Sequence, residues 1–204
     1  MLSLNNAMSG EEFREFDERV RRALHSSRAV EYVAEPTYKT MIPVAIRNPR
    51  VIVSRTFSKV YGIAGLRIGY AVAHEDTIAR LEPMRLGSGV NVLGAAAAVA
   101  SLPLRDHVVR QQELNRAARE YAVKFINDMG YTCPNTHTNF VIFDIKGDSK
   151  AFQAACLARG VAIGRQFPPL LTHARITIGT MDDMQRALPI VRDVLRATRT
   201  DSRG

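Results

Sequence analysis

The chain has 204 residues, a net charge of +8, and 46% apolar and 24% charged residues. That composition disfavours wholesale disorder, collagen-like repeats and coiled-coil fibres, and the length allows one sizeable core or two small ones. The basic excess is dispersed, with five acids beside four Arg between Glu11 and Arg22, and no RNA-binding aromatic signature or helix-turn-helix pattern accompanies it, so nucleic acid is not an expected partner.

In chain order, Met1 to Gly10 lacks the basic head and apolar core of a secretory signal, so a cytoplasmic location is expected. Ser9-Gly-Glu-Glu12 has capping-box spacing and predicts a helix from Gly10 to Leu24. Pro36, Pro43 and Pro49 interrupt any long element between Ala34 and Arg50, and Asn48-Pro49 reads as a turn. The short apolar runs Val51 to Val53 and Ile68 to Ala73 are of the kind buried in a parallel sheet. Leu86 to Leu104 is the longest uncharged stretch, but Gly87, Gly89, Asn91, Gly94, Ser101 and Pro103 break the ~20 apolar positions that a bilayer crossing needs, so no membrane partner is expected.

Arg105 to Met129 predicts a long helix, with Ala117, Tyr121, Phe125 and Met129 spaced by four and Gly130 at its C-terminal cap. Phe140 to Asp144 reads as a strand and Asp148 to Arg159 as a helix closed by Gly160. Val161 to Gly164 and Arg175 to Ile178 read as short strands, and Asp182 to Ala197 as a final amphipathic helix. This alternation predicts an α/β layered architecture, with a boundary near Pro103 between residues 1–103 and a smaller α+β domain over 104–204. Cys133 and Cys156 lack a CxxC neighbour and read as buried free thiols. The five His have no ligand spacing, so no metal site is expected.

The chemistry concentrates in Ser54 to Tyr70. Gly62, Gly65 and Gly69 fall within eight residues, beside the hydroxyls of Thr56 and Ser58 and the cations of Lys59 and Arg67, directly after an apolar strand. Ligands of open α/β sheets bind at that end of the strands. Hydroxyls with an Arg suit a phosphate, the guanidinium fork matching two oxygens. A lysine flanked by Arg55 and Arg67 in a partly enclosed site has its ammonium disfavoured, and the neutral amine can form a Schiff base with an aldehyde. One ligand joins the two chemistries, pyridoxal 5'-phosphate (PLP). A nucleotide phosphate is the alternative, although neither GxxxxGK[ST] nor GxGxxG is present.

Ser58-Lys-x-x-Gly-x-Ala-Gly-x-Arg-x-Gly-Tyr70 resembles the lysine signature of class I/II aminotransferases of PLP fold type I, in particular the histidinol-phosphate aminotransferase-like branch. Thr138-Asn-Phe-Val-Ile-Phe143 resembles that branch's small-domain strand, and Arg175-Ile-Thr-Ile-Gly-Thr180 its carboxylate-binding strand. The resemblance implies a partial large domain with parallel-sheet strands followed by a C-terminal α+β small domain. It implies that Lys59 forms the Schiff base and shuttles the proton, and that Thr56, Ser58 and Arg67 hold the cofactor phosphate. Arg175 would bind the substrate α-carboxylate, and Asn139 would lie near the substrate or cap an element. Tyr61 and Tyr70 would pack beside the cofactor loop. The implied partners are an L-amino acid, with histidinol phosphate and aromatic amino acids as candidates, a 2-oxo acid, and a second copy in a homodimer. A phosphothreonine decarboxylase lineage shares the signature.

The pattern also has departures. The family's glycine-rich phosphate loop, ring-stacking aromatic and Asn-Pro-x-x-Pro-Thr-Gly turn have no counterpart after Met1, so the chain reads as N-terminally truncated. Where the family has Asp-Glu-Ala-Tyr, Ser26-Ser-Arg-Ala29 stands before Val30-Glu-Tyr32. Ser26 cannot supply the charge that the family Asp gives the pyridine nitrogen, and Ala29 lacks the Tyr hydroxyl. A catalytically incompetent fragment, serving as a folded remnant or interaction module, is therefore the alternative reading.

Overall fold

A computed structural model describes residues 7–8, 38–84 and 90–201. The predicted helix over Gly10 to Leu24, its capping box and the polar Ser26 to Arg28 run lie outside the described residues. The chain divides into two compact units between Arg110 and Gln111.

The first unit is built on a three-stranded sheet of order β1-β3-β2, with β1 at Ala7–Met8, β2 at Ile52–Thr56 and β3 at Gly69–Ala73. β1 runs parallel to β3, placing Ala7 opposite Ala71. β2 runs antiparallel to β3, with Val53 opposite Val72 and Thr56 opposite Gly69. The Ile68 to Ala73 run thus has the expected parallel partner, while the reading is corrected for Val51 to Val53, whose strand is antiparallel to its neighbour. Between Thr56 and Gly69 the chain forms only a tight loop and a 3₁₀ turn at Ala64–Leu66, and a connection without a crossover helix joins neighbouring strands antiparallel.

Three helices of this unit follow from local chemistry. α1 (Ile42–Arg47) starts with Pro43 in its first turn, where a missing N–H costs nothing. α2 (Glu75–Leu81) is capped by His74, whose Nδ1 accepts from the Asp76 N–H. α3 (Val92–Ser101) is capped by Asn91, whose Oδ1 accepts from the Gly94 N–H at 2.6 Å. Phe57, Ile68, Tyr70, Val72 and Ala98 form the core, sealed by Ile42, Tyr61, Ile63, Leu66 and Leu102. The division between units falls inside α4 (Arg105–Asp128).

The second unit packs the later turns of α4, α5 (Ser149–Ala158) and α6 (Met181–Asp201) with the antiparallel pair β4 (Phe140–Asp144) and β5 (His173–Thr177). Strand alternation sends Val141, Phe143, Ala174 and Ile176 inward. On α4 the fully buried row is Ala118, Ala122 and Ile126. The expected stripe lies one residue away, where Tyr121, Phe125 and Met129 reach over the core from its flank. Small residues at the closest approach and long ones beside it account for that offset.

Asp148 caps α5, and Gly130 and Gly160 follow α4 and α5 with the positive φ expected of helix-ending residues. Val161 to Gly164 is not a strand, correcting that prediction: its link to β5 is one bond, Gly164 N–H to the Arg175 carbonyl at 2.9 Å. Cys133 and Cys156 are free and buried. Burial pushes both thiols up, that of Cys156 to about 11, so each stays protonated at neutral pH. Among the described residues no single helix is long and apolar enough to cross a membrane.

Candidate functional site

The loop from Phe57 to Ile68 carries the candidate cofactor groups. Its ends are pinned where β2 meets β3, the Phe57 N–H donating to the Ile68 carbonyl at 3.2 Å. Gly69 makes this pairing possible, because a Cβ there would stand 2.5 Å from the Arg55 carbonyl oxygen. Thr56 lies opposite Gly69, bringing it next to the Arg67 end of the loop. The Thr56 hydroxyl donates to Ser58 Oγ at 2.8 Å and accepts the Ser58 N–H at 3.0 Å. Thr56, Lys59 and Arg67 are exposed and Ser58 is half-buried.

Arg67 adopts a left-handed backbone, φ 51, at the end of the 3₁₀ turn, and its Nη1 donates to the Ala64 carbonyl at 2.9 Å. A non-glycine residue in that region stores about 1–3 kcal/mol of strain, a feature that clusters at ligand clamps. The remaining guanidinium N–H groups make no other hydrogen bond among the described residues. Arg55 is turned elsewhere, its Nη2 donating to Thr40 Oγ1 at 3.1 Å and Tyr38 Oη at 3.3 Å. Lys59 is exposed, so the partly enclosed setting expected for it is not supplied by the described residues. The donor set nonetheless fits PLP: two hydroxyls and a guanidinium suit a phosphate, and an amine on the same loop suits an aldehyde.

Beneath the loop, Phe57 packs on Tyr61 with ring centroids 5.1 Å apart and on Tyr70 at 6.3 Å. Burial raises both phenol pKa values, Arg105 partly opposing the shift at Tyr61. Both rings pack under the loop and stay neutral.

Two side chains that the sequence reading left without a role reach the loop. Asn91 Nδ2 donates to the Leu66 carbonyl at 2.9 Å. His107 Nε2 lies 2.9 Å from the Val60 carbonyl; a carbonyl only accepts, so that nitrogen carries the proton. The Asn-x-x-Gly start of an Ala-rich run signals the Asn91 cap, but nothing local in the sequence signals the His107 contact.

In the second unit, Arg175 lies on the β5 face opposite Ala174 and Ile176. Its guanidinium carbon sits 4.4 Å from the Phe140 ring centroid and 5.5 Å from that of Phe167, and Arg165 stacks on Phe167 at 4.4 Å. Stacking holds the plane and leaves the N–H edge for a carboxylate. Asn139 accepts the Ile178 N–H through its carbonyl at 2.9 Å, and its half-buried side-chain amide makes no hydrogen bond among the described residues. It caps no helix. The preceding Thr138 carbonyl is held from α4 by Asn115 and Arg119, each at 3.3 Å.

The family model of class I and II aminotransferases matches residues 23–191. Histidinol-phosphate aminotransferase of Bacillus subtilis strain 168 is 34% identical over 169 residues, covering 81% of this chain and 46% of the relative. That of Brevibacillus brevis is 32% identical over 169 residues, with the same two coverages. The crystal structure of histidinol-phosphate aminotransferase from Sinorhizobium meliloti, in complex with pyridoxal-5'-phosphate, superposes with a TM-score of 0.65 at 29% identity, covering 81% of this chain and 46% of that one. The chain thus spans about half the length of the curated relatives it matches. Its fold is that of the PLP-dependent transferases of fold type I. With the sequence pattern, the fold and the matched length in agreement, the chain belongs to the class I and II aminotransferase family.

Proposed function

We propose that this chain binds pyridoxal 5'-phosphate on the β2–β3 loop and carries the lysine and carboxylate-binding parts of an aminotransferase acting on an amino acid and a 2-oxo acid. The observation that carries the reading is the grouping of Thr56, Ser58, Lys59 and Arg67 on one strand-anchored loop, with the Thr56 and Ser58 hydroxyls already hydrogen-bonded to each other. In this reading both hydroxyls and the Arg67 guanidinium bind the phosphate by charge-assisted hydrogen bonds. Lys59 Nζ would hold the cofactor through its aldehyde carbon with loss of water and, once the substrate amine has displaced it, would be the free amine that takes and returns the proton in the transfer. Bound there, PLP supplies an electron sink for the electron pair left at the substrate carbon. Arg175, its plane held by Phe140, binds the α-carboxylate, and Asn139 offers a side-chain amide to a polar group of the ligand.

Histidinol phosphate is the first amino donor to test, because the relatives are named for it; an aromatic amino acid is the second. A homodimer and a cytoplasmic location complete the proposal, the latter in keeping with two free thiols. Titration of the full chain with PLP is expected to give a visible absorbance band that Lys59→Ala lacks. The band is expected to bleach with histidinol phosphate and return with a 2-oxo acid. An identical band in Lys59→Ala would overturn the assignment.

A second reading has one specific observation behind it. Ser26 and Ala29 stand where the family pattern has an acid for the pyridine nitrogen and a Tyr. On that reading the chain is a folded remnant or interaction module, with the band forming but no amino donor bleaching it.

A further inference from the structure

The Phe57 to Ile68 loop keeps its shape through hydrogen bonds to its backbone carbonyls. Five of its carbonyls accept from within the loop or its flanking pair: Phe57 from Ile63, Lys59 from Gly62, Ile63 from Leu66, Ala64 from Arg67, and Ile68 from Phe57. Two carbonyls are served by side chains from outside the loop: Val60, by His107 at 2.9 Å, and Leu66, by Asn91 at 2.9 Å, both among the described residues. Val60 directly follows Lys59 and Leu66 directly precedes Arg67. Each anchor therefore sits one peptide away from a group assigned above to the cofactor.

We infer that Asn91 and His107 are positioning residues: they anchor the loop so that it presents Lys59 and Arg67 together, without themselves touching either side chain. This rests on the reading of the loop as the PLP site and extends it to residues outside the Ser58–Tyr70 signature. Asn91 does two tasks with one amide, Oδ1 capping α3 through the Gly94 N–H and Nδ2 holding Leu66. Glycine at 94 leaves the room for this, since a Cβ there would lie 2.6 Å from Asn91 Nδ2 and 2.9 Å from Oδ1. His107 stands in the first turn of α4, so the start of that helix fixes the Lys59 side of the loop. A carbonyl that loses its partner lets the peptide on either side rotate, and a catalytic group misplaced by about an ångström loses much of its effect.

Three variants of the full chain separate positioning from capping and folding. Asn91→Asp keeps an equally good cap but removes the donor to Leu66; His107→Leu removes the donor to Val60; His107→Gln restores an N–H at a similar reach. Each is assayed for PLP affinity, for borohydride-trapped adduct at Lys59, and, without PLP, for hydrogen exchange at the amides of Gly62 and Arg67. Asn91→Asp and His107→Leu are expected to bind PLP about three- to tenfold more weakly, the effect of one lost hydrogen bond, and to trap less adduct. Both are expected to exchange faster at those amides, with β4 and β5 unchanged, and His107→Gln to recover affinity and protection. Wild-type affinity and trapping in both variants would overturn the inference, as would faster exchange with unaltered trapping, which would leave the contacts a stabilising role alone. Should the parent chain itself fail to take up PLP, the functional proposal falls, and the anchoring falls with it only if exchange at Gly62 and Arg67 is the same in all four proteins.

Discussion

Arg67 shows how much of this site is decided by single residues. Its left-handed backbone is a place where glycine would relax the chain, yet a guanidinium stands there whose remaining N–H groups bond to none of the described residues. Arg67→Gly is therefore expected to leave the melting temperature equal or higher while weakening PLP binding at least tenfold, the signature of a residue kept for a ligand at a cost in stability. A melting curve beside an absorbance titration checks this; a large fall in melting temperature with unchanged affinity would contradict it. At this scale the sequence was informative where chemistry and spacing coincide. The candidates Thr56, Ser58, Lys59 and Arg67 stood out because hydroxyls, cations and glycines crowd one segment. Asn91 and His107 did not, because their partners are backbone carbonyls 25 and 47 residues away, which no local pattern encodes.

Among the elements, the clearest were those whose ends carry their own chemistry. The α5 helix was bounded by Asp148 and Gly160, and both act as expected. The α3 helix was missed because its glycine and alanines read only as an interrupted apolar stretch, while its cap is Asn91. The sense of the β2–β3 pair was missed because β-branched runs report burial rather than direction; the short loop between them was the better guide. The start of α6 gives a prediction. The Thr180 hydroxyl and N–H donate to Asp183 Oδ2 at 2.8 and 3.0 Å, and the Asp183 N–H returns to Thr180 Oγ1 at 3.2 Å, a reciprocal capping box. Those bonds, the hydroxyl first, hold the Asp183 carboxyl below the ordinary aspartate range. A depressed carboxyl stabilises the folded state above its unfolded pKa, and the contribution disappears as pH falls through the folded one. Thr180→Ala is expected to cost about 1 kcal/mol at neutral pH, and the gap from the parent to narrow on acidification below about pH 4, the part due to the Asp183 N–H cap remaining. Denaturant melts across pH test this, a pH-independent gap being the contrary result.

As a whole the molecule is two compact units. The second holds an extensive core from Ala118 to Leu195, while in the first Phe57, Ile68, Tyr70, Val72 and Ala98 cluster under the β2–β3 loop and Ala45, Val53, Ala73 and Ile78 are also buried. The α/β class could be read from alternating patterns, and family membership from one dense motif. Ser26 and Ala29, outside that motif, stand where the family pattern has an Asp and a Tyr, and bleaching of the cofactor band by an amino donor is the test that separates the two proposed readings. The chain has five lysines, at 39, 59, 124, 146 and 150, so the central claim reduces to which of them reacts. The most direct measurement is peptide mass mapping after PLP and borohydride treatment of the folded full chain. The account predicts a single pyridoxyl adduct at Lys59, lost under unfolding conditions; labelling spread over the exposed lysines, or none at Lys59, would contradict it.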